Sequence, residues 1–134
     1  MSLFNLFNIS GSAVSAQSKR LNVVASNLAN ADSVAGPDGQ PYKARQITFE
    51  AQYQAGSEVA GVKVSGIAET VAPGRRVHEP NHPMADAEGY VTHSNVNVVD
   101  EMVNMISASR AYQNNVEVMN TARQLLAKTL QMGQ

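Results

Sequence analysis

The 134-residue chain has no cysteine and no tryptophan. Disulfides, thiol nucleophiles and most structural zinc sites are thereby excluded. Long apolar runs are missing too, since no stretch approaches the roughly 20 apolar residues of a spanning helix. Neither sign of charge dominates, with ten Lys and Arg against eleven Asp and Glu. Nothing electrostatic therefore selects nucleic acid or an acidic membrane. The opening MSLFNLFNIS has no Lys or Arg ahead of an apolar run, so it does not read as a cleavable secretory signal. Proline is absent from both ends, and all five prolines fall between Pro37 and Pro83. Because proline interrupts helices, the map reads as two helical ends around an irregular or sheet-like middle.

Charge follows the same division. Residues 1–31 carry only Lys19 and Arg20, residues 32–95 carry eight acids and five bases, and residues 96–134 carry three of each. The middle is the wet part. The near-neutral ends suit surfaces that pack against copies of themselves.

The spacing predicts a helix over 9–31. Val14, Leu21 and Leu28 recur every seven residues, with Val24, Ala31 and Ala25 widening the stripe and Gln17 as its polar exception. Spacings of three and four mark one helix face. The opposite face is assigned Lys19, Arg20, Asn27 and Asn30. Ahead of this helix, Leu3, Phe4, Leu6 and Phe7 form an apolar cluster that needs a partner surface.

A second, longer helix is predicted over 97–132. Asn97 is a suitable N-cap, and Asp100 and Glu101 lie in the first turn, where the positive helix end favours acids. Lys128 lies near the other end and Gly133 is read as the stop. A seam runs Met102, Met105, Ser109, Tyr112, Val116, Met119, Arg123, Leu126, Leu130, broken by Arg123, with Ala122 and Leu125 beside it. Its methionines suit core filling or an adaptable contact surface. The first helix is too short to cover all of this seam, so the remainder is expected to meet other chains.

Between the helices, residues 42–53 alternate, with Ile47 and Phe49 on one side, and residues 61–71 alternate more cleanly through Val62 and Val64. Both read as strands. Pro73-Gly74 turns the chain, Arg75-Arg76-Val77 begins a return, and residues 79–90 read as an ordered loop. The fold class is therefore α+β. N- and C-terminal helices pair as a coiled-coil-like bundle around a small β-rich insert. The divisions are 1–35, 36–96 and 97–134, with the first and last forming one discontinuous helical layer.

One catalytic motif presents itself. His78-Glu79-Pro80-Asn81-His82 matches H-E-x-x-H, which binds zinc only when helical spacing puts both imidazoles on one face. Pro80 lies between the histidines and Pro83 follows, which forbids that helix. A metal-dependent hydrolase using His78 and His82 is thus the weaker alternative to a structured loop. A soluble helical adaptor is another. Asn8-Ile9-Ser10 matches a glycosylation acceptor, but an exposed helix start explains it as well. No nucleophile elbow, phosphate-cradling glycine loop or basic aromatic patch occurs, so no catalytic or metal residue and no cofactor is assigned.

Three segments carry a resemblance. SNLANAD (26–32), behind Leu21, Val24 and Leu28, resembles the shared N-terminal signature of the bacterial flagellar rod and hook proteins. NVVDEMVNMISASRAYQNNVEVMNTARQLL (97–126) resembles their C-terminal piece. HEPNHPMADAEGYVTHSNVN (78–97) looks like the segment that sets a proximal rod subunit apart from other short rod proteins, which remain the alternative. Ser94 stands where much of the family has proline, a departure expected to cost only a little loop stiffness.

The resemblance implies a structural subunit of the periplasmic rod of the flagellar basal body. It implies export through the flagellar type III apparatus without a cleaved signal peptide. The terminal helices would enclose the central channel, and the rod would carry torque from the motor. Its implied partners are other copies of itself, other rod proteins, and base and export-apparatus components beneath, with no nucleic acid and no membrane insertion. The expected assembly residues are Val14, Leu21, Val24, Leu28, Met102, Met105, Tyr112, Val116, Met119, Leu126 and Leu130.

Overall fold

A computed structural model of the chain describes residues 3–133. Two helices, α1 (Leu3–Ala29) and α2 (Val98–Met132), enclose four strands in sequence: β1 (Arg45–Tyr53), β2 (Ala60–Glu69), β3 (Arg76–His78) and β4 (Tyr90–Thr92). The α+β class with helical ends is as read from the sequence. Helix α1 starts six residues earlier than the periodicity placed it, so the Leu3–Phe7 cluster forms its first turns rather than a preceding segment. None of the described helices is long and apolar enough to cross a membrane.

The chain divides into two compact units. The first comprises residues 1–21, 48–66 and 106–134. Its strand portions belong to the two-stranded sheet of β1 and β2. Thr48 faces Ser65, their hydroxyls 2.9 Å apart, and Lys63 pairs with Glu50 at 2.6 Å. These pairs run in opposite order, as in an antiparallel ladder. The Ser12 hydroxyl ties α1 to β2 by donating to the Ile9 carbonyl and accepting from the Val62 N–H. The deepest positions of this unit are Ser10, Ala16, Ala108 and Ala122. Side chains this small let helix backbones approach closely, but they supply little apolar area.

The second unit comprises residues 22–47 and 67–105. Strands β3 and β4 pair antiparallel, with Val77 opposite Val91 and His78 opposite Tyr90. Residue Val34 adds an isolated bridge to His93. Val24, Ala31, Ala44 and Val91 are its buried apolar side chains.

Asp86 closes the β3–β4 loop. Its carboxylate accepts from the N–H groups of Glu88 and Tyr90 and from Arg76, each within about 3 Å. The Tyr90 N–H does most to hold its pKa below the ordinary value of 3.8; desolvation pushes back next, and the Glu88 N–H and Arg76 add to the lowering. A depressed folded pKa adds stability that is present above the unfolded value and is lost as pH falls through the folded one. Below about pH 4 the Glu88 and Tyr90 amide resonances are expected to shift together, a transition that Asp86→Asn should remove. Amide shifts that stay constant down to pH 2 would contradict this.

Asn97 caps α2, its carboxamide oxygen accepting from the N–H groups of Val99 and Asp100 at 3.1 and 3.2 Å. Gly133 extends the helical hydrogen-bond pattern through its N–H to the Thr129 carbonyl, without a positive φ. Helix α2 ends at Met132, directly before Gly133, as the sequence suggested.

Candidate assembly surface

The sequence-derived contact residues separate into three groups. Val24 is buried within its unit. Val14, Leu21, Leu28, Tyr112, Val116, Met119 and Leu126 are half-buried. Met102, Met105 and Leu130 are exposed.

The deepest positions on α2 are Glu101, Ala108 and Ala122, which lie at multiples of seven along the helix. That line is offset by one residue from the predicted seam, and it is built of small or polar side chains. A search for recurring bulk passes over such a line. The polar interruption on α1, Gln17, has its side-chain oxygen buried without a hydrogen-bond partner.

The bulk on α2 points elsewhere. Val98, Val99, Met102, Val103, Met105 and Ile106 are all exposed. At 100° per residue they share an arc of about 160°, its centre about 130° from Glu101 and Ala108 and its near edge at Val98 and Met105. The opening of α2 is therefore two-faced, with a polar and a small side chain, Glu101 and Ala108, turned inward and an apolar surface turned outward. Further out on the same helix, Leu125, Leu130 and Met132 are exposed, as is Phe4 on α1.

Asn27 corrects the sequence reading outright. Assigned to the solvent face, it is fully buried. Its side-chain N–H donates to the Arg45 carbonyl, and its oxygen accepts from the Arg45 N–H and the Tyr42 hydroxyl, all at 2.9–3.0 Å. Burial raises the Tyr42 pKa above 10.0, more than nearby Arg45 lowers it, so the phenol stays a donor.

Ser94 is corrected as well. It is buried, its hydroxyl donates to the Ala31 carbonyl at 2.7 Å, and its N–H donates to the Ser33 carbonyl. A proline could make neither bond, so serine here is a tie and not merely a looser hinge.

The H-E-x-x-H segment is not helical. His78 lies in β3, edge-on to Tyr90 with ring centroids 4.9 Å apart. His82 lies in a turn, where its ring nitrogen accepts from the Met84 N–H. Among the described residues, no group of three or more His, Cys, Asp or Glu side chains converges to hold a metal ion.

An exposed apolar face on a terminal helix marks a surface suited to packing against other proteins. The family comparisons give this reading a definite form. Residues 7–37 match the family of flagella basal body rod proteins, and residues 87–132 match the C-terminal family of flagellar basal body rod FlgEFG proteins. The flagellar basal-body rod protein FlgC of Yersinia enterocolitica is 60% identical over the full length of both chains. The FlgC protein of Salmonella typhimurium is 58% identical, again over both full lengths. That of Buchnera aphidicola from Acyrthosiphon pisum is 49% identical over 97% of each. The chain belongs to the FlgC family of flagellar basal-body rod proteins and is a structural subunit of the rod.

Proposed function

We propose that the subunit joins the rod through its terminal helices. In this reading residues 1–35 and 97–134 form the helical layer around the export channel, and residues 36–96 pack outside it. The assembly residues are Val14, Leu21, Val24, Leu28, Met102, Met105, Tyr112, Val116, Met119, Leu126 and Leu130, joined by Val98, Val99, Val103 and Ile106. Its neighbours are further copies, other rod proteins, and base and export components beneath, all in the periplasm. The rod so built passes motor torque outward, and no catalytic step is involved.

The outward apolar face of α2 carries this reading. Successive copies meeting through unlike surfaces would propagate rather than close.

Leu28→Asp tests the α1 side. It places a charge in the half-buried stripe, where burial of an unpaired carboxylate is strongly unfavourable. The variant is expected to keep the signals of the β1–β2 hairpin and to be absent from purified basal bodies. Normal rod assembly and motility would sink the proposal for α1.

A further inference from the structure

The second unit has few means of fixing direction by packing. Its buried apolar side chains are two valines and two alanines. Apolar contact is non-directional, whereas hydrogen bonds constrain both distance and angle. Two carboxamides in this unit each make three side-chain hydrogen bonds to distant segments.

Asn27, in the last turns of α1, makes its three bonds to Tyr42 and Arg45. Asn95 is the counterpart ahead of α2. Its oxygen accepts from the Ala44 N–H at 2.6 Å, and its amide group donates to the carbonyls of Thr70 and Ala72 at 3.0 and 2.8 Å. Both of its N–H groups are thus engaged. Residues 44 and 45 are gripped from the two sides, one by each asparagine. Asn95 stands two residues before the cap of α2, and Ser94 beside it is bound to Ala31, two residues past the end of α1. The exit of α1, the start of β1, the end of β2 and the start of α2 converge on this clasp.

We propose that Asn27 and Asn95 are positioning residues that set the angle between the end of α1 and the start of α2 within the second unit. The clasp presents the outward face of α2 at one angle before any neighbour binds. The proposal rests on the assembly reading only for the use of that angle, not for its existence.

The lack of native cysteine makes a direct test practicable. Full-length protein carrying spin labels at Asn22→Cys and Val103→Cys, both exposed sites, is examined by pulsed electron paramagnetic resonance. A narrow distance distribution is expected for the parent. Asn27→Ala and Asn95→Ala should broaden it at least two-fold while circular dichroism keeps its helical signal. Asn95→Asp, which retains the acceptor for Ala44, should fall between.

Thr48→Ala removes comparable polar bonds from the β1–β2 hairpin and should leave the width unchanged. If the alanine variants fail to fold, Tyr42→Phe and Asn95→Asp decide, with graded broadening expected. Unchanged widths, or equal broadening from Thr48→Ala, would overturn the proposal. Broadened variants that still assemble rods normally would overturn the use assigned to the angle and leave the rod-subunit reading intact.

Discussion

Exchanging Val99 and Val103 together for aspartate is expected to leave the isolated chain folded and to exclude it from the basal body. The two side chains are 68% and 60% exposed, so the single chain loses almost no burial. Position 99 lies in the first turn of α2, where the helix dipole favours acids, which offsets the small like-charge repulsion between positions 99 and 103. Thermal unfolding should move by no more than about 2 °C. In an assembled wall the same positions would bury two unpaired carboxylates. A cost on the order of 4 kcal/mol would weaken subunit association about a thousand-fold. The measurement is motility together with recovery of intact basal bodies. Wild-type swimming with a folded variant in the rod would remove the outward face of α2 from the interface.

Gly74→Ala should fail for the opposite reason. A Cβ at this position would run into the His93 carbonyl oxygen, with Thr92 Cγ2 at 3.1 Å and Pro41 Cγ at 3.4 Å. The opposing backbone cannot retreat easily. The His93 N–H is bonded to the Arg75 carbonyl at 2.7 Å, and the Thr92 carbonyl receives the Ala35 N–H at 2.8 Å. Overpacking against fixed backbone costs about 3 kcal/mol, which for a chain of this size lowers Tm by roughly 10 °C. Gly66→Ala is the control, because its Cβ would meet only Thr48 Oγ1 at 3.9 Å. Equal melting temperatures for the two variants would show that the close approach at Gly74 relaxes freely.

These two cases mark where the sequence was legible. Residues recurring at helical spacing located both helices, and alternation located β1 and β2, because bulk and period are visible one residue at a time. Asn97 was readable as a cap for the same reason. Gly74 was recognised as a turn, but its tight approach to residue 93 is a contact between distant segments and leaves no local mark.

Asn27 was assigned to solvent because it is polar. Its partners at 42 and 45 become visible only once the chain has turned back on itself. The buried line through Glu101, Ala108 and Ala122 was missed for a related reason. A period search weights large apolar groups, and on α2 many of those face outward. The family resemblance, by contrast, was fully legible, since it rests on contiguous segments.

The two-faced character of α2 reverses the usual relation between exposure and mutational tolerance. In an ordinary globular protein, surface positions accept most replacements and buried ones demand bulk. Here the buried positions impose a ceiling on size, so Ala108 and Ala122 should accept glycine or serine more readily than leucine. On the proposed assembly reading, exposed positions 98, 99, 102, 103, 105 and 106 would impose a floor on hydrophobicity felt only in the assembled organelle. Selection on this helix would thus be invisible to any assay of the lone subunit's stability, and most severe where its surface is most open.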